Sequence, residues 1–458
     1  MRLASGHKGL GLRGMRSSAD IPECWSVHGV HQSGKQDLVA SRLRREEEKD
    51  PESQHAQDLR RELAKDDIFE RGGVRIFRPL LGFSKERLIQ TCRARSVAWE
   101  EDKTNQDTWR NPRNNIRGLL RSAKLPQALQ KTSMLHLAMQ TSCSTHKIHT
   151  NVERILSCCE ILLLDVRCGG LIVRLPLHIY LSRQDSESKK VSVENNRFTA
   201  TFLLQRLVEM VTPNEKVSLQ SLKQAVVSIF PELVEADRRL QPTSFTAGGA
   251  QFQRLYSPLP APRSELDPAL LGTWRDLDAV FVWKLTRQPF QRAPLSLTIP
   301  PSANTKSTIA GNPPPSWSSW QLWDGRYWIR LLNRSSQSLI VRPFQISDLK
   351  HLRSTLNPQH YMRFHKFLFL AAPGKVSWTL PAVAQLGDDS LHLGRVLGLP
   401  TLGQAGKLDT SAGNEMNKVE WQVRYKSVRL GSQKSDEKSD DYVSEIGKNR
   451  SFITSWKD

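Results

Sequence analysis

The chain has 458 residues, with 66 Lys and Arg against 46 Asp and Glu, a formal charge of +20. That length accommodates about two to four domains, and a hydrophobic share of only 38% indicates ordered domains diluted by polar linkers. No run of about 18 uncharged apolar residues occurs, which excludes a membrane-spanning helix. A basic excess of this size points to a polyanionic partner such as nucleic acid.

Six cysteines are too few for a disulfide scaffold, and they form no CxxC pair or zinc spacing. Cys158 and Cys159 are adjacent, a geometry that seldom bridges. They read as reduced, mostly buried thiols of an intracellular compartment. The first residues carry no apolar core of a signal peptide.

In chain order, Gly6, Gly9, Gly11 and Gly14 mark a loop or tight helix–loop passage. Residues 31–70, with a charge run at 42–50, read as a solvated, disordered insertion. A short strand is predicted at 74–77, left through Arg78-Pro79-Leu80-Leu81. Ser84 then suits a helix N-cap; Arg87 in place of Glu three residues on removes the full capping box. Leu88, Ile89 and Cys92 give that helix its apolar face.

Two apolar runs flanking Cys168-Gly169-Gly170, within 161–174, predict a β-hairpin. Helices follow at about 198–211 and 219–230, punctuated by Pro213 and Pro231, and a strand near 279–285. Residues 288–319 are rich in Pro, Ser and Thr and read as a flexible linker. A second compact unit begins at Trp320. Val419, Trp421, Val423 and Tyr425 alternate as one more strand before a disordered tail at 431–458. The expected domains are therefore 1–130, 131–287 and 320–430, the last joined through the linker.

Gly9-Leu10-Gly11-Leu12-Arg13-Gly14 spells GxGxxG, but no strand precedes it, so a glycine-rich loop is the better reading. No Walker loop, HExxH or GxSxG occurs. The informative stretch runs from Trp99 through Asp102, Thr104, Asn105 and Asp107 to Arg113-Asn114-Asn115-Ile116-Arg117. Residues 71–130 hold 13 Lys and Arg against 5 Asp and Glu. Arginine forks bind phosphate bidentately, and Asp102 and Asn105 can orient them or cap the next helix. Spacing alone equally describes Arg113 and Arg117 as an i, i+4 pair on a solvated helix face, and favours it.

The Arg78-Pro79-Leu80-Leu81 segment, the Trp99…Asp102-x-Thr104-Asn105-x-Asp107 block and the Arg113-Asn114-x-Ile116-Arg117 block together resemble the signature of tRNA(Ile)-lysidine synthetases. The glycine-rich opening is similar to that family's loop after its second ATP-site motif. Trp323-Asp324-Gly325-Arg326, Leu380-Pro381 and Leu399-Pro400-Thr401-Leu402-Gly403 resemble its C-terminal region more weakly. The resemblance implies an α/β plus α+β fold: part of a PP-loop, adenine nucleotide hydrolase-like α/β domain, then helical and mixed α+β domains. It implies an ATP-dependent ligase that adenylates C2 of the wobble cytidine of tRNA(Ile), after which free L-lysine displaces AMP. ATP and Mg²⁺ belong to the complete enzyme, tRNA(Ile) and L-lysine are its partners, and no membrane is involved.

The resemblance places Arg78, Asp102, Asn105, Arg113, Asn114 and Arg117 at the nucleotide and tRNA pocket, with Arg78, Arg113 and Arg117 inward and Trp99 buried. Arg326, Arg330 and Arg342 are expected to share one solvent face of strands and contact tRNA phosphate. The family's SGGxDS and HHxDDxxET motifs are absent, and both would lie upstream of residue 1. The expectation is an N-terminally truncated synthetase of eukaryotic, fungal-like style. It would be inactive as written and located in the mitochondrion, with the cytoplasm as the alternative. The competing reading is a non-catalytic basic tRNA/RNA-binding protein. A PP-loop tRNA thiolase is disfavoured because its cysteine pairs are missing.

Overall fold

The computed structural model describes residues 3, 5–6, 9–24, 26–29, 43–57, 60, 69–70, 74–100, 104, 111–121, 125–176, 189–212, 217–234, 242–255, 282–290, 296–301, 316–386, 394–406 and 418–426. The chain divides into two compact units, Met1–Pro22 with Val74–Val152, and Glu23–Gly73 with Glu153–Asp458. The expected tail at 431–458 lies outside the described residues.

Three short strands come first: β1 (Ser18–Asp20), β2 (Phe69–Glu70) and β3 (Arg75–Phe77). In the first unit β1 and β3 pair antiparallel, Ser18 opposite Phe77. The chain leaves β3 through a 3₁₀ turn, Pro79–Gly82, and enters α1 (Lys85–Ala94). The Ser84 hydroxyl accepts from the Arg87 amide at 3.3 Å, so the expected cap forms. Helix α2 (Pro112–Arg121) starts on Pro112, whose missing N–H suits a first turn. Asn111 caps it, its side chain accepting from the Asn114 amide at 2.9 Å. Helix α3 (Lys131–Leu156) follows. Helix α1 has no buried residue, and Leu88, Ile89 and Cys92 are only half-buried. Phe77, Leu80, Leu81, Phe83, Leu119 and Leu120 are exposed.

In the second unit β4 (Glu160–Asp165) and β5 (Gly170–Arg174) form the predicted hairpin, with Asp165 opposite Gly170. Gly169 closes it at φ 70°. Helices α4 (Lys189–Glu209) and α5 (Lys223–Ile229) stand where helices were expected. Strands β6 (Ser244–Ala247) and β7 (Ala250–Leu255) were not anticipated. They join through Gly248 and Gly249 at φ 60° and 85°, the positive angles of a type I′ turn. With β8 (Val282–Arg287) the sheet order is β4-β5-β8-β7-β6. Ala200, Leu203, Leu204, Leu207 and Val208 of α4 are buried in this half of the unit.

The rest comprises β9 (Leu297–Ile299), β10 (Gln321–Trp323), β11 (Tyr327–Asn333), β12 (Leu339–Pro343), α6 (Ile346–Thr355), α7 (Pro358–Ala371), β13 (Pro381–Gln385), β14 (Val396–Gly398) and β15 (Val419–Lys426). Two four-stranded sheets result, β10-β11-β15-β2 and β14-β13-β12-β9. Trp323, Tyr327, Ile329, Leu331 and Val419 from one share a core with Leu339, Val341, Val383 and Leu397 from the other. Strand alternation sends Ala382, Ala384 and Val396 to the opposite face, where they meet Leu352, Phe364 and Leu368 of α6 and α7. The result is helix on sheet on sheet.

Three expectations change. Within the expected linker 288–319, β9 pairs with β12, Ile299 opposite Leu339, and Ile299 is buried, because an apolar Leu-Thr-Ile run completes the sheet edge. The segment after Trp320 is not a separate body but belongs to the same unit as 153–290. The Arg326 guanidinium donates to the Cys168 carbonyl at 3.3 Å and Tyr327 Oη to the Arg167 carbonyl at 2.9 Å, while Cys168 lies in the same apolar core as Phe344 and Leu399. The charged stretch 31–70 is ordered in part: 43–47 and 54–57 are helical, Arg60 pairs with Glu47 at 2.7 Å, and β2 pairs parallel with β15. Among the described residues no helix is long and apolar enough to cross a membrane.

Candidate nucleic-acid interface

In the first unit, Arg78 is half-buried where β3 passes into the 3₁₀ turn. Its backbone amide donates to the Ser17 carbonyl at 2.7 Å and its guanidinium to the Arg16 carbonyl at 3.3 Å. This pins the Arg-Pro-Leu-Leu segment to the strand edge. Burial lowers the pKa of neighbouring Arg16.

Asn114 is the buried member of the Arg113–Arg117 block, 3% exposed. Its side-chain amide donates to the Thr104 carbonyl at 3.0 Å, and its oxygen accepts from Arg117 Nη1 at 3.4 Å. One carboxamide thus ties the preceding segment to α2 and orients Arg117, since three residues along a helix return to one face. Arg117 is half-buried, while Arg113 is exposed at the start of the helix. The expectation that Arg113 turns inward is not met. Trp99, expected to be buried, is 42% exposed, with the Arg93 guanidinium 5.9 Å from its ring. It follows α1, a helix with no buried face to shelter it. Asp102 and Asn105 lie outside the described residues.

In the second unit the three expected phosphate contacts separate. Arg326 lies in the turn entering β11 and is 7% exposed. Its Nε donates to Asp324 Oδ2 at 2.8 Å and its Nη2 to the Thr379 carbonyl at 2.7 Å. Asp324 also accepts from Arg287 at 3.2 Å. Arg342 is 5% exposed and forks onto Asp348 at 2.8 and 2.7 Å, while Asp348 also accepts from the Gln345 amide and caps α6. Both arginines are therefore structural, and the shared solvent face does not form. A buried charge must meet its counter-ion inside the protein, and here each does.

Arg330 alone faces outward. Its Nε and Nη2 donate to Gln422 Oε1 at 2.9 and 2.6 Å across the β11–β15 pair. Its guanidinium carbon stands 5.1 Å from the Trp317 ring and 4.6 Å from the Trp320 ring. Arg424 lies 4.8 Å from Trp320, and Lys426 Nζ 5.4 Å from Trp328. His28 stacks on Trp320 at 4.8 Å. Sequence reading missed this array. Its signal was the set of polar alternates to Val419, Trp421, Val423 and Tyr425, namely Gln422, Arg424 and Lys426.

Among the described residues no group of three or more His, Cys, Asp or Glu converges as a metal ion would require.

Residues 55–123 match the PP-loop domain. A probable tRNA(Ile)-lysidine synthase of Schizosaccharomyces pombe is 25% identical over 342 residues, 74% of this chain and 59% of that protein. A tRNA(Ile)-lysidine synthase of Anaplasma marginale is 29% identical over 87 residues, 18% of each chain. No solved structure matches. The chain thus spans 59% or less of the length of these relatives. The Arg78, Asn114 and Arg117 geometry lies inside the PP-loop match, and over these stretches the chain is similar to tRNA(Ile)-lysidine synthases.

Proposed function

We propose that the chain is part of an ATP-dependent carbon–nitrogen ligase that joins L-lysine to C2 of the wobble cytidine of tRNA(Ile) through an adenylated intermediate. The observation that carries this reading is the similarity to the fission-yeast relative over 342 residues, together with the PP-loop match at 55–123. The Asn114–Arg117 pair supports it, because a held guanidinium stabilises phosphate charge as it develops. A chain with formal charge +20 suits a tRNA substrate, and a mitochondrial location belongs to the same reading.

Ser-Gly-Gly occurs nowhere in the 458 residues. We infer that these residues alone do not transfer lysine, since no SGGxDS loop offers its amides to the ATP phosphates. This observation also favours the second reading, a non-catalytic RNA-binding protein.

The deciding experiment joins the chain to a segment carrying the family's SGGxDS and HHxDDxxET motifs and supplies tRNA(Ile), ATP, Mg²⁺ and labelled lysine. The joined protein is expected to transfer lysine, and Arg117→Ala to lower transfer by about 10²-fold without moving the unfolding midpoint. Tight tRNA binding with no transfer would replace the ligase by the binding protein. Clear transfer by the 458 residues alone would overturn the loop argument.

A further inference from the structure

The outward face of β11 and β15 carries a concentration of rings and cations that the ligase reading does not use. Register sets Trp328 opposite Arg424 and Arg330 opposite Gln422. Tyr327, Ile329, Leu331 and Val419 enter the core between the sheets, so their alternates Trp328, Arg330, Gln422, Arg424 and Lys426 share the other face. Four cation–ring contacts occur there, involving Trp317, Trp320 and Trp328. Energetically significant contacts of this kind occur about once per 70–80 residues, so four on one patch mark an organised surface.

The electrostatics of the patch have one sign. Arg330 and Arg424 share it with a single carboxylate on the two strands, Glu420, which accepts from Arg334 at 2.6 Å. Gln422 fixes Arg330 without neutralising it, because its oxygen is an uncharged acceptor. Stacking on a ring sets the plane of a guanidinium while its N–H groups still radiate from its edge. Arg330 and Arg424 are half-buried, as are Trp317 and Trp320, so each keeps an open side, whereas Trp328 and the Lys426 ammonium nitrogen are buried.

We propose that this face is a platform for unpaired RNA, with backbone phosphates on Arg330 and Arg424 and a base stacked on Trp317. Unpaired nucleotides fit better than a duplex, because a duplex hides its base faces from a flat ring. The proposal rests on the ligase reading only in taking RNA as the polyanion, and it requires neither ATP nor lysine.

The test is fluorescence polarisation of the 458-residue chain with a labelled 12-nucleotide oligouridylate across a salt series. That ligand lacks tRNA structure, so a failure of lysine transfer leaves the result untouched. The double variant Arg330→Gln with Arg424→Gln is expected to flatten the salt slope by about 1.4, at about 0.7 per phosphate on a single strand. Trp317→Ala is expected to weaken binding roughly 5- to 150-fold with an unchanged slope, and Trp317→Tyr to restore most of it. If the arginine variants do not fold, the Trp317 pair still decides. Equal affinity for duplex RNA, equal competition by polyglutamate, or folded variants that bind as the parent does would each overturn the platform.

Discussion

Arg326→Leu is the sharpest test of the assignment of Arg326 to the interior. The leucine removes the Nε bond to Asp324 at 2.8 Å, the Nη2 bond to the Thr379 carbonyl at 2.7 Å and the weaker Nη1 bond to the Cys168 carbonyl at 3.3 Å. Asp324, itself buried, keeps only Arg287 at 3.2 Å. Breaking a buried pair costs about 3–5 kcal/mol, and an orphaned buried acceptor about 1–3 kcal/mol. The retained Arg287 offsets part of this, so the net expectation is about 4 kcal/mol, a large share of the roughly 5–15 kcal/mol that stabilises a domain. At about 2–4 °C per kcal/mol for a unit of this size, the midpoint falls by about 10 °C. Urea unfolding followed by the emission of the 12 tryptophans reads the loss directly. Arg330→Leu serves as the contrast: it removes exposed cation–ring contacts worth about 0.5–1 kcal/mol each. Equal midpoints for the two variants, or weaker RNA binding by Arg326→Leu with no loss of stability, would refute the reasoning and return Arg326 to the RNA surface.

Gly169→Ala should cost at least about 2 kcal/mol, because a Cβ at φ 70° would stand 2.6 Å from Arg326 Nη1 and 3.3 Å from the Val211 carbonyl; a midpoint within error of the parent contradicts this. Ser84→Ala should lower the helicity of α1 and cost about 1 kcal/mol through loss of its cap, with Ser84→Asp restoring it. Burial, and then the Asp165 carboxylate, push the Cys168 thiol up to about 12, and burial also raises Cys159. The native state therefore holds the Cys168 proton where the unfolded chain releases it. The associated stability is complete below the ordinary thiol range and is lost as pH rises towards 12. Mass mapping after alkylation at pH 8 should accordingly find exposed Cys143 modified first, and Cys159 and Cys168 only after denaturation.

Local chemistry was readable where a single residue type decides the backbone. Ser84, Pro79 and the Cys168-Gly169-Gly170 turn announced a cap, a strand exit and a hairpin, and each formed. The Gly248-Gly249 turn carried the same kind of signal and went unread, although two adjacent glycines between β-branched and aromatic residues suit a type I′ turn. Pairing over long separation was not readable. Ile299 meets Leu339, and Arg326 meets Cys168, across 40 and 158 residues respectively, so composition alone made 288–319 a spacer and 320–430 a separate body. Asn114 was chosen for the family it resembles, yet its role in holding Thr104 and Arg117 emerges only from where α2 begins.

The arginines show why strand alternation alone could not sort interior from surface. Alternation assigns a side chain to one of two faces, but in a layered fold both faces of a sheet can be covered. Strand β12 is such a case: Val341 enters the core between the sheets while Arg342, on the other face, lies beneath α6 and takes Asp348 from it. On β11 the second face is covered at Trp328 and Leu332 but open at Arg330, which emerges beside Trp317 and Trp320. What separates the cases in the sequence is a nearby carboxylate. Arg326 follows Asp324 by two residues and Arg342 precedes Asp348 by six, each within reach of a tight turn, and both pairs are buried. Arg330 also lies six residues from a carboxylate, Asp324, but Arg326 and Arg287 already occupy it, and Glu420, four residues before Arg424, is engaged by Arg334. An arginine with an available local carboxylate can be desolvated as a pair, whereas one without it stays near water or on a ring, which is where a phosphate can reach it.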